Sequence, residues 1–425
     1  MTFASIFSRG IQMKRYRIQS ERPHLFDTSI LIAMQISVEG ITNENVLRNA
    51  FSKALNANEI FSTHIVINEN GEAFFETADL PPLSENIFFV NEDKLDIIRR
   101  EEKRRFAVEK GEYIKAYCTK LTNEGFDMLF LMHHIAGDGK SLVYFIESFM
   151  KALNNEQPEY REMRLIPIDT DKKSLKASLG ASYYFSEYYN SKWEHDKKKQ
   201  AFGFEDMDDA YDQFWADKCS SIDEFEILPE KVNKILETCR SLDIGFTAYI
   251  ITAFCRYLGK MCDIGIAMNA RTDENRAMGN QATGISVKYT YKNSLSFKDN
   301  AVKIQKLMND KLNDDNKRNF LLPFLASLEP TLTDSLNLEH AGSFRSKTSS
   351  ALGEYLGYGK KTKDISVTNL TRLDIPDTYG KYKISGFTFI PPVISNSKTV
   401  IGISTLNDKT MMTVHRLRIS RPDNT

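Results

Sequence analysis

One short stretch carries the strongest structural signal in this chain: Leu131-Met132-His133-His134-Ile135-Ala136-Gly137-Asp138-Gly139. The residues before it, from Phe126 to Met132, are almost all apolar and follow Gly125, which predicts a short strand buried on both faces. From Leu142 to Leu153 apolar residues recur at helical spacing, which predicts an amphipathic helix. The two histidines therefore lie where a strand ends, and open α/β sheets usually bind ligands at such a place.

The two histidines are not expected to act on one reacting atom together, because adjacent strand residues point to opposite faces. His134 alternates with Met132, and His133 alternates with Leu131, so the pattern leaves open which imidazole faces a cavity. An imidazole suits proton transfer at neutral pH because its ordinary pKa is about 6.5. The simpler alternative is that both are core histidines with backbone partners.

Two further interpretations of the stretch are disfavoured. Gly139-Lys140-Ser141 reproduces the end of the GxxxxGK[ST] phosphate loop, but that pattern needs glycine at position 134, where this chain has histidine. A metal site of two histidines and one carboxylate, made from His133, His134 and Asp138, conflicts with the opposed side-chain directions. No HxH, HxxxH or CxxC spacing occurs elsewhere, so no metal is expected.

His133, His134, Asp138 and Gly139 occupy the fixed positions of the motif HHxxxDG. In this the chain resembles the superfamily of thioester-dependent acyltransferases that includes nonribosomal peptide synthetase condensation domains, polyketide-associated and BAHD acyltransferases, and chloramphenicol acetyltransferase. The resemblance implies an α/β (α+β) fold of two chloramphenicol-acetyltransferase-like subdomains. Each would be a mixed sheet with helices, and the two would meet at a central channel.

A second segment supports the resemblance. The apolar strand from Ile264 to Met268 is followed by Asn269-Ala270-Arg271 and then by a segment from Met278 to Val287. This is similar to the condensation-domain stretch in which an arginine after a strand pairs with the aspartate of HHxxxDG. The resemblance therefore implies an ion pair between Arg271 and Asp138, which would hold the histidine loop in shape.

The implied activity is acyl transfer from a pantetheine thioester, on coenzyme A or on an acyl or peptidyl carrier protein, to a small-molecule hydroxyl or amine in secondary metabolism. Such a reaction needs a base, a stabilised oxyanion and aligned substrates. His134 is the predicted general base, with His133 and Asp138 as its catalytic neighbours; Arg271 and Gly139 are structural at the site, Gly139 allowing close backbone approach. No tightly bound cofactor is expected, and the sequence does not identify the oxyanion donor.

The alternative function is a catalytically silent docking or binding module with the same fold, and a remoter one is a P-loop nucleotide-binding protein. The composition gives no excess of positive charge that would attract nucleic acid or an anionic membrane, since the chain has 56 basic and 57 acidic residues. No apolar stretch approaches the roughly 20 residues of a membrane span, and the first 17 residues lack the apolar core of a secretion signal. Five unpatterned cysteines fit a reducing compartment. A cytoplasmic monomer is expected.

A chain of 425 residues predicts two domains. The polar run from Asn154 to Pro158 places an N-terminal acyltransferase subdomain with the HHxxxDG motif at 1–165. The C-terminal subdomain, at 166–425, includes the linker and the Arg271 segment. Periodicity predicts helices at 44–55, 94–108, 229–242, 247–258 and 297–312, and strands at 30–38, 61–67, 73–76, 113–121, 264–268, 285–291, 365–369, 383–389, 399–406 and 410–416.

Two aromatic or basic features invite a functional interpretation. The cluster from Tyr183 to Tyr189, with Trp193, could line an acyl channel, but a linker or helix packing across both domains is the favoured interpretation. His415 lies in the last predicted strand and receives no function, because a lone histidine in a strand is commonly an exposed or core group.

Overall fold

The computed structural model describes residues 14–78, 85–272, 275–358 and 362–420. The described chain forms two six-stranded mixed sheets, one three-stranded sheet and surrounding helices. Its elements up to residue 165 are β1 (Arg15–Arg17), β2 (Leu31–Glu39), α1 (Glu44–Asn56), β3 (Thr63–Ile67), β4 (Ala73–Thr77), β5 (Ile87–Phe89), α2 (Lys94–Glu101), β6 (Ile114–Leu121), β7 (Gly125–His133) and α3 (Gly139–Leu153).

The elements after residue 165 begin with three helices that connect the two large sheets. They are α4 (Lys172–Leu179), α5 (Ala181–Glu194), α6 (Phe204–Trp215), β8 (Lys218–Ile227), α7 (Pro229–Leu242), α8 (Phe246–Leu258), β9 (Met261–Asn269), β10 (Ala282–Thr290), α9 (Phe297–Leu312), α10 (Asp315–Arg318), α11 (Leu321–Ser327), α12 (Pro330–Ala341), α13 (Lys347–Leu356), β11 (Ile365–Arg372), β12 (Thr378–Tyr379), β13 (Tyr382–Ile390), β14 (Thr399–Leu406) and β15 (Lys409–Ile419).

The first large sheet holds the histidine strand near its centre. Its order is β12-β13-β2-β7-β6-β5, and β7 is antiparallel to both neighbours. Phe130 of β7 meets Phe145 and Phe149 of α3 edge-on, and Phe51 of α1 meets Phe145 in the same way. Residues 128–132 have no solvent exposure, so β7 is buried on both faces as the apolar run predicts.

The second large sheet has the order β10-β9-β11-β14-β15-β8, with β11 parallel to β9 and to β14. Helices α8 and α9 cover it through a hydrophobic cluster in which Ile251 and Ile304 pack with Ile264 of β9. The carboxyl-terminal end of β9 leads into Arg271. This sheet therefore fixes where the Arg271 segment approaches the histidine turn.

Strand β13 comes from the later part of the sequence but lies in the first sheet. It is antiparallel to β2 and pairs Phe389 with Met34 and Ile390 with Ala33. The next strand, β14, is back in the second sheet. Main-chain hydrogen bonds thus tie the later half of the chain to the earlier half, while the boundary between residues 165 and 166 stays a prediction.

The aromatic cluster of residues 183–189 lies on helix α5. Phe185 packs with Tyr355 of α13 at 4.3 Å between ring centres, and the buried Trp193 donates its indole N–H to Thr331 of α12 at 2.8 Å. None of these side chains lines the cavity at the histidine turn. Helix packing, rather than an acyl channel, is their observed setting.

The predicted fold class is confirmed, since two mixed sheets with helices meet at the histidine turn. Helices α7 and α9 begin and end at the predicted residues. Helix α2 is shorter than predicted: it ends at Glu101 instead of Val108, because Phe106 turns inward to full burial and contacts His133. Helices α6 and α10 to α13 and strand β8 were not predicted, since their burial depends on neighbours distant in sequence.

Within the described ranges, no helix combines the length and the apolar character that a membrane crossing needs. All five cysteines are free thiols.

Candidate active site

The HHxxxDG stretch forms a tight turn between strand β7 and helix α3. The amides of His133 and His134 donate to the carbonyls of Tyr113 at 2.9 Å and Ile30 at 3.2 Å, so the strand ladder continues up to the turn. Residues 134–136 form a 3-10 turn. Asp138 then caps helix α3 by accepting from the Ser141 amide at 2.9 Å, a contact typically worth about 1 kcal/mol. The turn is therefore fixed at both ends.

His133 points into the protein. Its side chain is buried, its Nδ1 accepts from the Ile135 amide at 3.2 Å, and its ring meets Phe106 edge-on at 5.9 Å. Burial, with a contribution from His134 and then from Arg105, lowers the pKa of His133 to about 3. His133 is thus a neutral, enclosed ring outside the cavity.

His134 faces the cavity. It is partly exposed and lines the space in which the ends of the two sheets meet. Burial lowers its pKa, while its own backbone, Asp138 and Asp27 oppose part of that shift. The Nδ1 atom is buried and has no hydrogen bond of ordinary geometry to any described residue. Nε2 is therefore the ring nitrogen free to meet a substrate, and a lowered pKa keeps it unprotonated at neutral pH.

Asp138 and Arg271 form the expected ion pair. Nη1 of Arg271 lies 2.7 Å from Oδ2 of Asp138, and Nη2 lies 3.0 Å from Oδ1. Both side chains are buried, with 2% of Arg271 and 7% of Asp138 exposed. Burial alone would raise the pKa of Asp138, but the charge and hydrogen bonds of Arg271 outweigh it, so the pKa lies below its usual value. Asp138 is therefore a carboxylate at neutral pH.

The same ion pair is connected by hydrogen bonds to backbone groups of the segment from Met278 to Val287. Asp138 Oδ2 also accepts from the Gln281 amide at 3.0 Å, and Arg271 Nη2 donates to the Ser141 hydroxyl at 3.0 Å. That hydroxyl donates in turn to the Gly279 carbonyl at 2.8 Å. Both carboxylate oxygens of Asp138 are thus occupied, which leaves Asp138 a structural part of the site and no free proton acceptor.

Gly139 marks a close approach of the two halves. A methyl group at its α-carbon would lie 2.9 Å from the Leu370 side chain and 3.3 Å from the Phe389 ring. Leu370 belongs to β11 and Phe389 to β13, and both line the cavity. Glycine is needed here for space, and its backbone angles are ordinary.

The cavity in front of His134 has a volume of about 150 Å³. Ligand pockets usually hold about 300–1,000 Å³, so this space fits a reacting centre and little more. A larger cavity of about 580 Å³ between Glu39 and Lys409 touches none of the motif residues, and no histidine of the described chain lines it. The smaller cavity is lined by residues 32, 134, 138–140, 267–269, 271, 282, 366–370, 389, 391, 392, 394 and 400.

A charged cluster next to the cavity joins both halves of the chain. The guanidinium groups of Arg271 and Arg276 lie 5.8 and 4.6 Å from the ring centre of Tyr144 on helix α3. The Tyr144 hydroxyl donates to Asp374 at 2.9 Å, and Lys140 lies 3.5 Å from the same carboxylate. These contacts hold the segments that follow β9 and β11 against helix α3.

A third histidine, which no sequence pattern predicts, lies at the site. The ring of His24 stacks on His134 with 4.6 Å between ring centres and 21° between ring planes. His24 ends a 3-10 turn at Arg22–His24, far from the motif in sequence. No spacing rule relates the two positions, so only the fold brings them together.

The phosphate-loop interpretation does not fit this geometry, because the Asp138 carboxylate occupies the start of helix α3 that a phosphate would need. Among the described residues, no group of three or more histidine, cysteine, aspartate or glutamate side chains is placed to hold a metal ion. Of the two histidines and the aspartate in the motif, His134 is the one whose side chain lines the cavity without being held by a hydrogen bond to another described residue.

The family model of the Condensation domain matches residues 14–164, the part of the chain that contains HHxxxDG. No curated protein matches the chain in sequence. Solved structures match it in fold. The first condensation domain of the CDA synthetase has a TM-score of 0.62 and 12% identity, over 95% of this chain and 90% of that one.

Two further structures show the same fold. The trichothecene 15-O-acetyltransferase TRI3 of Fusarium sporotrichioides has a TM-score of 0.60 and 12% identity, over 95% of this chain and 90% of that one. A variant of the starter condensation domain of rhizomide synthetase RzmA, in complex with C8-CoA and Leu-SNAC, has a TM-score of 0.59 and 10% identity, over 95% of this chain and 88% of that one. The resemblance predicted from HHxxxDG is confirmed by the family model over residues 14–164, and the predicted fold is confirmed by these structures.

Proposed function

We propose that this protein transfers an acyl group from a pantetheine thioester to a hydroxyl or amine, with His134 as the general base. The observation that carries the proposal is the orientation of the two histidines. His134 lines the cavity between the sheets, whereas His133 is enclosed and bonded to the Ile135 amide. One imidazole of the pair is thus available to a substrate.

The proposed reaction needs no covalent enzyme intermediate. His134 Nε2 accepts the proton of the acceptor group as its oxygen or nitrogen attacks the thioester carbonyl. The carbon–sulfur bond then breaks, and the proton passes from His134 to the leaving thiolate. The lowered pKa of His134 favours the neutral ring at the start of each turnover. Asp138 and Arg271 hold the loop and take no proton.

The donor in this proposal is coenzyme A or a carrier protein bearing phosphopantetheine. One similar structure, the rhizomide synthetase starter domain, was solved with C8-CoA. The apolar side chains of Ile32, Leu370 and Phe389 at the cavity suit an acyl group. We also propose that the protein is a monomer that acts in cytoplasmic secondary metabolism; its five free cysteines and the Condensation-domain match over residues 14–164 support this.

A docking or binding module without turnover is the second candidate, and the small cavity favours it. A space of about 150 Å³ does not admit a thioester and an acceptor together unless the walls at Gly139 and Leu370 separate. The two candidates differ in one product, because only the acyltransferase releases free thiol.

The test is thiol release from a panel of acyl-coenzyme A donors of increasing chain length, with mixed hydroxyl and amine acceptors. The proposal expects acceptor-dependent thiol release that is lost in His134→Ala and kept in His195→Ala, a change at an exposed histidine outside the site. If no donor, free or on a carrier protein, gives acceptor-dependent thiol, while a calorimetric titration detects donor binding, the binding module is the better account.

A further inference from the structure

His24 is the one histidine outside the motif that touches the His134 ring in the described part of the chain. The two rings are nearly parallel, at 21°, and their centres are 4.6 Å apart, which is the spacing of an offset stack. Such a contact covers one face of the His134 imidazole. It also limits the angles through which that ring can rotate about its side-chain bonds.

The turn that carries His24 is anchored to helix α12 at two points. Arg22 lies against Gly71 and forms a buried ion pair with Asp334, whose Oδ1 is 2.6 Å from the guanidinium Nε. The carbonyl of Pro23 accepts from the Asn337 side-chain amide at 2.7 Å. His24 therefore stands on a braced turn rather than on a loose loop.

A base needs such a brace because its reacting nitrogen has to meet the acceptor in line. Catalytic histidines are commonly oriented by a hydrogen bond to the second ring nitrogen. At His134 that nitrogen, Nδ1, is buried and has no side-chain partner among the described residues; the one hydrogen-bonding group that acts on the ring is the backbone of His134 itself. The stacked His24 ring lies against one face of the imidazole and restricts its rotation from there.

We propose that His24 is a positioning residue: its ring fixes the plane of the His134 imidazole and keeps water from one of its faces. This inference rests on the proposed function, in which His134 is the base. His24 acts through its ring surface in this account, and its nitrogens take no part in proton transfer.

The groups that face His134 allow the electrostatic consequence to be worked out. His24, His133, Asp27 and Asp138 surround the ring, and Lys140 and Arg271 line the same cavity. Burial first, and then the charges of His134 and His133, lower the pKa of His24 well below its usual value. His24 is therefore neutral at physiological pH. Loss of its ring would admit water to His134 and raise the pKa of His134.

The experiment compares His24→Ala with His24→Phe, which keeps a ring at the same place. The His134 pKa is measured by nuclear magnetic resonance on histidine-labelled protein, and kcat/KM is measured across pH by thiol release. We expect His24→Ala to raise the His134 pKa, to move the acidic limb of the profile to higher pH, and to lower kcat/KM roughly tenfold or more. His24→Phe should stay close to the wild type in all three. His195→Ala is the matched control.

Two outcomes overturn the inference: a His24→Ala protein with unchanged titration and profile, or a His24→Phe protein as impaired as His24→Ala. If His24→Ala does not fold, Asn337→Ala releases one anchor of the turn and should shift titration and profile in the same direction, and no shift there overturns the inference too. If the wild type releases no thiol, the proposed function fails, whereas the His134 titration still decides whether His24 shields that ring.

Discussion

At the scale of single residues, two adjacent histidines differ because the chain turns between them. His133 is the last residue of β7 and His134 the first of a 3-10 turn, so one ring enters the core and the other enters the cavity. Burial lowers the pKa of both, to about 3 for His133. Both are neutral at physiological pH, and only the one with an accessible nitrogen can accept a proton from a substrate.

The first prediction concerns that nitrogen. His134→Ala should lower kcat by roughly two to four orders of magnitude, because general-base catalysis contributes about that much. Donor affinity, measured by calorimetry, should change little, since the base meets the acceptor. If His134→Ala kept near wild-type kcat and a folded His133→Asn protein lost most of it, the base would be His133 and the assignment to His134 would be wrong.

The second prediction concerns space at Gly139. Gly139→Ala adds a methyl group that meets Leu370 at 2.9 Å, so the cavity must narrow or its wall must shift. We expect kcat/KM for long acyl donors to fall more than for acetyl donors, by about tenfold. Leu370→Ala in the same chain should restore part of the loss. The assay is thiol release along a series of chain lengths, and equal effects at every length would contradict the steric account.

How far the site could be predicted depends on what the sequence encodes locally. Alternation along a strand separated His133 from His134 but could not orient either ring, because that depends on which neighbour covers each face. The contact between Asp138 and Arg271 was expected from family resemblance alone. His24 was missed, since its only relation to His134 is a contact across the fold.

At the scale of elements, one carboxylate connects the start of a helix to the other half of the chain. Asp138 caps α3 through Ser141 and accepts from Arg271 and from the amide of Gln281, the residue immediately before strand β10. The position of the Arg271 segment is thus set directly by the helix that follows the histidines. A substitution at Asp138 should therefore affect the Arg271 segment, and a substitution at Arg271 should affect the start of helix α3.

The third prediction tests that coupling. Asp138→Ala and Arg271→Ala should each lower the free energy of unfolding by roughly 3–5 kcal/mol, because each leaves a buried charge without a partner. The double variant should lose less than the sum of the two. Urea unfolding in a double-mutant cycle measures the difference. Strictly additive losses, or single losses near the 1 kcal/mol typical of exposed pairs, would argue against a buried brace.

Elements were predictable where a local pattern matched their surroundings. Helix α9 shows a capping box at Ser296 and one apolar stripe, and its predicted bounds are those observed. Helix α12 has buried residues on every side, including Thr333, Asp334 and Asn337, so it shows no stripe that would mark it. The partner of strand β13 was equally hidden, because pairing between distant strands leaves no trace in spacing.

At the scale of the whole molecule, the buried His415 contacts residues that are distant in sequence and so connects the two halves of the chain. Nε2 of His415 on β15 lies 3.0 Å from Glu102, which follows helix α2, and its Nδ1 lies 2.8 Å from the Pro391 carbonyl. Burial alone would lower the pKa of His415, but the Glu102 carboxylate outweighs burial, and the pKa is raised. His415 therefore acts as a charged link between the halves at mildly acidic pH.

The fourth prediction follows from the sign of that shift. A folded-state pKa above the unfolded value near 6.5 adds stability that is complete below about pH 6.5 and is lost as pH rises through the folded-state pKa. The difference in unfolding free energy between the wild type and His415→Gln should therefore be larger at pH 6 than at pH 9. Urea unfolding at both values measures it, with His195→Gln as control. If the difference were instead larger at pH 9 than at pH 6, the pKa of His415 would not be raised in the folded state.

Strand β13 comes late in the sequence but pairs with β2 in the first sheet, and this has a consequence for how the protein is made. Strand β2 ends at Glu39 and β13 begins at Tyr382, so roughly 340 residues are made between them, which at about 5–20 residues per second is an interval of tens of seconds. Throughout it the edge of β2 that later pairs with residues 383–390 is open, and an unpaired apolar edge invites pairing with other chains. During synthesis this edge is therefore open to pairing with other nascent copies until residues 383–390 have been made.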